Sequence, residues 1–208
     1  MYKEENSIKI ILLGETGTGK TNLIGTCCGL EFNPNSESSS TSSFLTKTIE
    51  INNTKFCLNL WDTAGQEKFR SLNTIFIKNS QICILVYDIT KRNSFEELDF
   101  WKQKIEEQLG DKPVIGIAAN KADLYENEQV SEEEGKEYAN KIGASFAITS
   151  AKKEPESFQN FVSQLVKQFL EKNKFNQWEF VSDDKVKISS DNDEKNMVKK
   201  KKKYLCFK

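Results

Sequence analysis

Residues 14–21 read GETGTGKT, which fits the spacing G-x-x-x-x-G-K-[ST] of a loop that wraps phosphate groups. The apolar run IKIILL, residues 8–13, precedes this segment, and a helical pattern at residues 20–28 follows it. The segment therefore joins a buried strand to a helix, which is the context that this spacing requires. The alternative is a Gly-rich turn that fits by chance, which about one chain in a hundred of this length would contain.

The residue types of the loop explain how it binds phosphate. Glycines let backbone N–H groups face the phosphates, and the N-terminus of the following helix adds partial positive charge. The Lys20 ammonium reaches the outer phosphates and is predicted to be catalytic, since it can neutralise charge that develops there. The Thr21 hydroxyl is a ligand for Mg²⁺. We therefore predict nucleotide contacts from nine consecutive residues: Gly14, Glu15, Thr16, Gly17, Thr18, Gly19, Lys20, Thr21 and Asn22.

Further apolar runs and helical patterns predict the fold around this loop. Buried strands are predicted at ICILVY (82–87), VIGIAA (114–119) and SFAIT (145–149), and helices at residues 93–109, 131–141 and 156–171. Because buried strands alternate with helices, the sheet should be parallel and covered on both faces. The segments 44–51 and 55–62 alternate in polarity around NNT and predict a hairpin with an edge strand. We predict an α/β fold with a doubly wound, mostly parallel sheet of six strands.

Length and composition limit the classes of protein that the chain can belong to. At 208 residues with 37% apolar residues, it can bury one substantial core. The net charge of -1 gives no basic excess of the kind that indicates nucleic-acid binding, and the absence of histidine excludes catalysis by imidazole. The five cysteines lack CxxC spacing, and the first residues of the sequence do not resemble a signal peptide. Together these features predict a cytoplasmic protein with reduced thiols. No apolar run approaches the about 20 residues that cross a bilayer.

The pattern divides the chain into three regions. Residues 1–7 are read as an N-terminal extension, residues 8–172 as the nucleotide-binding domain and residues 173–208 as a tail. The tail carries ten Lys against six acidic residues and ends with a lysine run and YLCFK. This composition predicts a disordered, Lys-rich segment.

Three further segments follow predicted strands, so they should lie at the same rim of the sheet as the phosphate loop. WDTAGQE (61–67) offers Asp62 as a second partner of Mg²⁺, acting through water. NKAD (120–123) and TSAK (149–152) follow the last two strands. The Asp123 carboxylate can accept hydrogen bonds from N1–H and the 2-amino group of guanine, a preference over adenine worth about 2 to 5 kcal/mol. If NKAD is considered without the other motifs, an ordinary solvated turn is the alternative interpretation.

In this order, the four motifs resemble those of the small GTPases of the Ras superfamily, over residues 8 to about 172. WDTAGQEKFRSL (61–72) and YDITKRNSFEEL (87–98) are similar to the Rab branch, which regulates vesicle traffic. An insert of the Rho kind after NKAD and an N-terminal helix of the Arf kind are missing. The resemblance implies a P-loop NTPase G domain that binds GTP and GDP with Mg²⁺ and hydrolyses GTP to GDP and phosphate.

The resemblance also implies roles for individual residues. Phe32, twelve residues after Lys20, should stack on the guanine, although an ordinary loop anchor is the alternative. Gly65 should bind the γ-phosphate, and Gln66 should orient the attacking water. The base-binding contacts implied by NKAD and TSAK are Asn120, Lys121, Asp123, Ser150, Ala151 and Lys152, with the Ala151 N–H directed at the guanine oxygen.

A Ser-rich stretch, SESSSTSS at residues 36–43, has the composition of a flexible linker. By resemblance, a Mg²⁺-binding switch residue should lie eighteen residues after Thr21 and twenty-three before Asp62, and both counts give Ser39. Ser39 is therefore predicted to bind the metal and the nucleotide, and the stretch is read as switch I. Of the Rab-typical IGVDF that should follow, only Phe44 is kept. An effector surface is predicted from Phe44, Trp61 and Phe76, with core packing as the alternative.

The resemblance implies regulatory partners and a membrane. The partners are a guanine nucleotide exchange factor, a GTPase-activating protein, effectors and a GDP dissociation inhibitor. No arginine finger is evident within the chain, so unaided hydrolysis should be slow, about 10⁻³ s⁻¹ or less. A lipid on Cys206 and the run Lys199–Lys203 would together attach the protein peripherally to the cytoplasmic face of endomembranes. Cys206 is third from the end, whereas the C-a-a-X rule needs the cysteine fourth from the end. A tail without a lipid on Cys206 therefore remains the alternative.

Three alternatives to a Rab-like switch in vesicle traffic remain. The altered switch I suggests a nucleotide-binding scaffold with little or no hydrolysis, although Gln66 and Asp62 argue against it. A Ras-superfamily GTPase that signals outside vesicle traffic has the same motifs. A P-loop kinase or ATPase is disfavoured by NKAD.

Overall fold

The computed structural model describes residues 6–35, 43–63 and 75–183, with side chains to residue 173. Its described strands form one sheet in the order β2-β3-β1-β4-β5-β6. The strands are β1 (Ser7–Leu13), β2 (Ser43–Ile51), β3 (Thr54–Asp62), β4 (Ile82–Asp88), β5 (Val114–Asn120) and β6 (Ser145–Ile148). Among the described strands, only β2 and β3 pair antiparallel, and the other neighbours are parallel. The predicted six-stranded, mostly parallel sheet is confirmed.

The helices lie where the sequence predicts them, with two differences. They are α1 (Lys20–Cys27), α2 (Arg92–Glu96), α3 (Leu98–Leu109), α4 (Glu132–Lys141) and α5 (Pro155–Asp183), and a 3₁₀ helix spans Ala122–Asn127. The single helix predicted over residues 93–109 is divided at Glu97, where ψ opens to -10°. The last helix extends beyond its predicted end at residue 171, since residues 172–183 contain no Pro or Gly to stop it.

The sheet has a hydrophobic cluster on each face. Alternate residues of β1 divide between them, with Ile10 and Leu12 on one side and Ile11 and Leu13 on the other. The first cluster includes residues of α1 and α5, and the second includes residues of α3 and α4. Because both faces are covered, β4 is buried along its whole length, as its continuous apolar run predicts.

The hairpin of β2 and β3 turns at two asparagines. Asn52 and Asn53 have φ of 51° and 59°, a left-handed conformation that asparagine tolerates better than most residues. A two-residue turn of this kind matches the twist of antiparallel strands. The resulting register pairs Phe44 with Trp61 across the hairpin.

The chain divides into two compact units, Met1–Glu171 and Lys172–Lys208. The sheet and both hydrophobic clusters belong to the first unit. Of the second unit, the structure describes helical backbone as far as Asp183. Among the described residues, no helix combines the length and apolar character that a membrane span needs.

Gly116 is a position where the packing of α5 on the sheet can be tested. A Cβ at Gly116 in β5 would lie 2.7 Å from Leu165 Cδ1 and 2.8 Å from Phe161 Cζ, and both side chains are fully buried. We expect Gly116→Ala to lower the free energy of unfolding by about 1–3 kcal/mol, because the ends of both buried side chains would have to shift within a close-packed core. Urea denaturation measures this change.

Gly25→Ala is the matched control for that substitution. Gly25 lies in α1, and a Cβ there meets only Leu30 atoms at 3.8 Å, an ordinary contact distance. Since alanine is the better helix former, its free energy of unfolding should be unchanged or raised by up to about 1 kcal/mol. Equal destabilisation by the two substitutions would contradict the assigned packing.

Candidate nucleotide-binding site

The loop between β1 and α1 requires glycine at two positions because neighbouring chain approaches closely. A Cβ at Gly14 would lie 2.2 Å from the Val86 carbonyl oxygen of the adjacent strand β4. Gly19 has φ of 95°, and a Cβ there would lie 2.4 Å from Asn120 Nδ2. The sequence spacing thus corresponds to a loop held against two strands, with a helix starting at Lys20.

The Lys20 ammonium lies inside the loop. It donates hydrogen bonds to the carbonyl oxygens of Gly14 at 2.9 Å and Glu15 at 2.8 Å, and the side chain is buried. Burial lowers the pKa of Lys20 to about 8, opposed by the negative charges of Asp62 and Glu15. A buried cation surrounded by loop carbonyls is well placed to accept a multiply charged anion such as a phosphate chain.

The two described residues predicted to hold Mg²⁺ are in contact. The Thr21 hydroxyl, in the first turn of α1, donates to Asp62 Oδ2 at 2.8 Å, and Asp62 is the last residue of β3. A hydroxyl and a carboxylate are hard oxygen ligands, the kind that Mg²⁺ prefers. The donor set at this position therefore fits the predicted metal ion.

Asn120, the last residue of β5, connects the base-binding motifs to the phosphate loop. Its buried side-chain amide donates to the Thr18 carbonyl at 2.8 Å, and the Thr149 hydroxyl donates to its Oδ1 at 3.3 Å. Within the loop, the Thr18 hydroxyl donates to the Glu15 carbonyl. Residues from NKAD, TSAK and the phosphate loop are thus joined at one rim, as the parallel strands predict.

The Asp123 carboxylate is fixed by one neighbour. The buried Ser150 hydroxyl donates to Asp123 Oδ1 at 2.6 Å and in turn accepts the Lys153 N–H at 3.0 Å. A carboxylate has about four acceptor positions, so it retains capacity for a ligand with two donors. The pair therefore presents an oriented acceptor of the type that guanine needs.

Asp88 is a residue of this rim that the sequence reasoning did not identify. Its buried carboxylate pairs with the Lys121 ammonium at 2.7 Å and accepts the Thr90 N–H and hydroxyl at 3.0 and 2.7 Å. Lys121 takes a left-handed conformation, with φ of 65°. The signal was present, since Asp88, like Asp62, is the last residue of a strand that points at this rim.

The remaining predicted contacts in the described part of the chain lie along the same rim. Ala151 is buried, Glu15 and Thr16 are half-buried, and Gly17 and Lys152 are exposed. Three predicted site residues, Ser39, Gly65 and Gln66, and the tail residue Cys206 lie outside the described residues. Their roles stay predictions.

Phe32 and Asn22 mark the path of the chain that leaves α1. Phe32 is half-buried and packs against the hydrophobic cluster that contains Leu23 and Ile24. The Asn22 side-chain amide forms hydrogen bonds with the backbone of Asn33. Stacking of Phe32 on guanine stays a prediction.

The three aromatic residues of the predicted effector surface lie together. Phe44 stacks on Trp61 with ring centroids 5.1 Å apart, and Trp61 lies 5.5 Å from Phe76. Phe44 is 53% exposed, so core packing does not account for its position. The sequence reasoning missed Lys9, whose ammonium lies 4.8 Å from the Trp61 ring and donates to the Phe76 and Lys78 carbonyls.

Comparison with known proteins agrees with this geometry. The sequence model of the Ras family matches residues 9–171. Human "Ras-related protein Rab-22A" is 39% identical over 145 residues, covering 70% of this chain and 75% of the relative. "Ras-related protein Rab-2B" of Dictyostelium discoideum is 38% identical over 172 residues, covering 81% and 85%. "Ras-related protein Rab-21" of Bos taurus is 38% identical over 146 residues, covering 70% and 66%.

The ion pair of Asp88 and Lys121 can be tested by removing one charge. Asp88→Asn keeps the size of the side chain but leaves Lys121 without its buried counter-charge. We expect this to weaken the positioning of Lys121 by about 1–2 kcal/mol of interaction free energy. If Lys121 contacts the nucleotide, GDP release should accelerate about 5- to 30-fold, measured with a fluorescent GDP analogue. Glu134→Gln, which removes the more exposed pair with Arg92, is the control and should change release less than twofold. Equal release from both variants would contradict this role of Asp88.

Proposed function

This chain is a Rab-like GTPase of the Ras family, and we propose that it acts as a Mg²⁺-dependent GTP/GDP switch in intracellular vesicle traffic. The observation that carries the switch is the single rim at which Asn120 joins the phosphate loop to NKAD and TSAK. The similarity to Rab-named relatives and the aromatic surface beside switch I support the role in traffic.

We assign recognition of guanine to Asp123. Ser150 holds one carboxylate oxygen, so the group can be oriented before the base arrives. The Ala151 N–H follows Ser150 directly and is proposed to donate to the guanine oxygen. Adenine lacks the complementary donors, and a buried acceptor left unpaired is unfavourable. Phe32 is proposed to cover a face of the base.

We propose that hydrolysis depends on position and charge rather than on a covalent protein intermediate. Gln66 is assigned to orient the water that attacks the γ-phosphate, and Gly65 to bind that phosphate. Lys20 neutralises charge on the outer phosphates. Thr21, Ser39 and Asp62 would hold Mg²⁺, which when bound supplies positive charge to the phosphates.

The proposed partners follow from the slow chemistry expected of the chain alone. A GTPase-activating protein would supply the missing arginine and an exchange factor would open the nucleotide site. Effectors are proposed to bind the aromatic surface of Phe44, Trp61 and Phe76 in the GTP state. Nearby Ile75 is 60% exposed and adds apolar area for such a partner.

We propose that the tail attaches the protein to the cytoplasmic face of endomembranes, where a GDP dissociation inhibitor would exchange it with the cytosol. One lipid chain on Cys206 binds a bilayer only marginally. Each lysine of Lys199–Lys203 adds about 1 kcal/mol near an anionic leaflet, so the two signals would act together. These residues lie outside the described part of the chain.

The choice of base is tested by Asp123→Asn. An amide presents a donor where the carboxylate presents an acceptor, and xanthine has a carbonyl at the position of the guanine amino group. We expect GDP to bind about 30-fold or more weakly, corresponding to about 2 kcal/mol, and xanthosine diphosphate to bind more tightly than to wild type. Competition binding against a fluorescent GDP analogue measures both, and unchanged GDP affinity would refute the assignment.

Single-turnover GTP hydrolysis separates the switch from a nucleotide-binding scaffold. Wild-type protein loaded with radiolabelled GTP should release phosphate at about 10⁻³ s⁻¹ or less, but measurably. Gln66→Leu should retain GTP and slow phosphate release about tenfold or more, because an apolar side chain cannot align water. If both proteins hold GTP without releasing phosphate, the scaffold is the better description.

A further inference from the structure

Two hydrogen bonds tie the side chain of Asn22 to the backbone of Asn33. Asn22 Nδ2 donates to the Asn33 carbonyl oxygen at 3.0 Å, and Asn22 Oδ1 accepts the Asn33 N–H at 3.0 Å. The side-chain amide thus satisfies both backbone groups of one residue, as a neighbouring strand would do. We call this contact the Asn22 clamp.

The clamp joins two parts of the nucleotide site. Asn22 follows Thr21 in the first turn of α1, so it belongs to a rigid helix that begins at the phosphate loop. Asn33 follows Phe32, the residue proposed to cover the base. Because the contact fixes the backbone directly after Phe32, it limits where that ring can move.

The sequence beyond Phe32 offers few other side chains that could anchor the chain. Residues 33–43 read NPNSESSSTSS and contain no large apolar side chain that could anchor them in a core. Asn33 Oδ1 accepts the Asn35 N–H at 3.0 Å, which shapes the turn around Pro34 but connects it only to itself. Within the described residues, the clamp is therefore the side-chain contact that ties this turn to helix α1.

We propose that Asn22 is a positioning residue that holds Phe32 over the guanine site and so slows the release of nucleotide. This inference rests on the proposed function, and it goes further by assigning the retention of nucleotide to a side chain that reaches the ligand only through Phe32. The nucleotide contact predicted for Asn22 stays a prediction, and the proposal concerns its side-chain amide, which is engaged by the backbone of Asn33.

The chemistry of the clamp determines which substitutions break it. An amide has both a donor and an acceptor, and the clamp uses both. Asn22→Asp keeps the acceptor for the Asn33 N–H but places a carboxylate oxygen against the Asn33 carbonyl. Asn22→Ala removes both hydrogen bonds. Asn33→Ala leaves the backbone partners in place and removes only the bond to Asn35.

The test is the release of a fluorescent GDP analogue from the full-length protein with Mg²⁺ and excess unlabelled GDP. We expect Asn22→Ala and Asn22→Asp each to accelerate release about five- to tenfold, as for two weakened hydrogen bonds. Asn33→Ala should change release less than twofold. Thermal unfolding of the Asn22 variants with GDP bound serves as the check that the domain remains folded.

A double substitution distinguishes positioning from a general structural role. If Asn22 acts through Phe32, the pair Asn22→Ala with Phe32→Ala should release the analogue within twofold of Phe32→Ala alone. Additive acceleration, or release at the wild-type rate by either Asn22→Ala or Phe32→Ala, overturns the inference. Acceleration by Asn33→Ala equal to that of Asn22→Ala also overturns it, because the turn and not the clamp would then control release.

The same measurement separates this inference from the function on which it rests. Wild-type protein that fails to retain the guanine nucleotide would contradict the proposed function itself. Retention by the wild type, with no effect of Asn22→Ala, would contradict the clamp alone.

Discussion

The hydrogen bond from the Asn120 amide to the Thr18 carbonyl is the contact on which the site depends. It joins residues 102 positions apart in the chain, at the meeting of β5 and the phosphate loop. It forms only because Gly19 has no Cβ, which would otherwise lie 2.4 Å from the same amide nitrogen. The Asn120 Oδ1 accepts from Thr149, so base and phosphate motifs are aligned by one buried amide. A parallel sheet makes this possible, since its strands present their carboxyl ends at a single edge.

Contacts within the protein hold the charged groups of the described site in place. Lys20 is buried among loop carbonyls, where desolvation lowers its pKa, and Lys121 is paired with the buried Asp88. A binding site that already holds its cations in position loses less conformational entropy when an anion enters. Asp88 and Asp62 have different partners here, since the first pairs with Lys121 of NKAD and the second accepts a hydrogen bond from Thr21. These two negative charges at the rim therefore come from the ends of two strands, β3 and β4.

Much of the fold and part of the site could be predicted from the sequence. Continuous apolar runs identify buried strands, and the loops that follow parallel strands must meet at one rim. Thr21 and Asp62 were therefore expected to lie together, and the Thr21 hydroxyl is 2.8 Å from Asp62 Oδ2. The pairing of Asp88 with Lys121 could not be predicted, because it depends on which elements pack together rather than on local spacing. The helix break at Glu97 was missed because no Pro or Gly in the local sequence marks it. The Lys9 cation over the ring of Trp61 was missed for the same reason, since no motif in the sequence marks that lysine.

The Ser-rich stretch can be understood from the contacts at its two ends. On one side, the Asn22 amide holds the backbone of Asn33 through two hydrogen bonds. On the other, Phe44 stacks on Trp61 in the antiparallel register of β2 and β3. Between these anchors the sequence has hydroxyls and no large apolar side chains. This composition suits the switch role proposed for the stretch, because contacts with the γ-phosphate would face little competition from apolar packing.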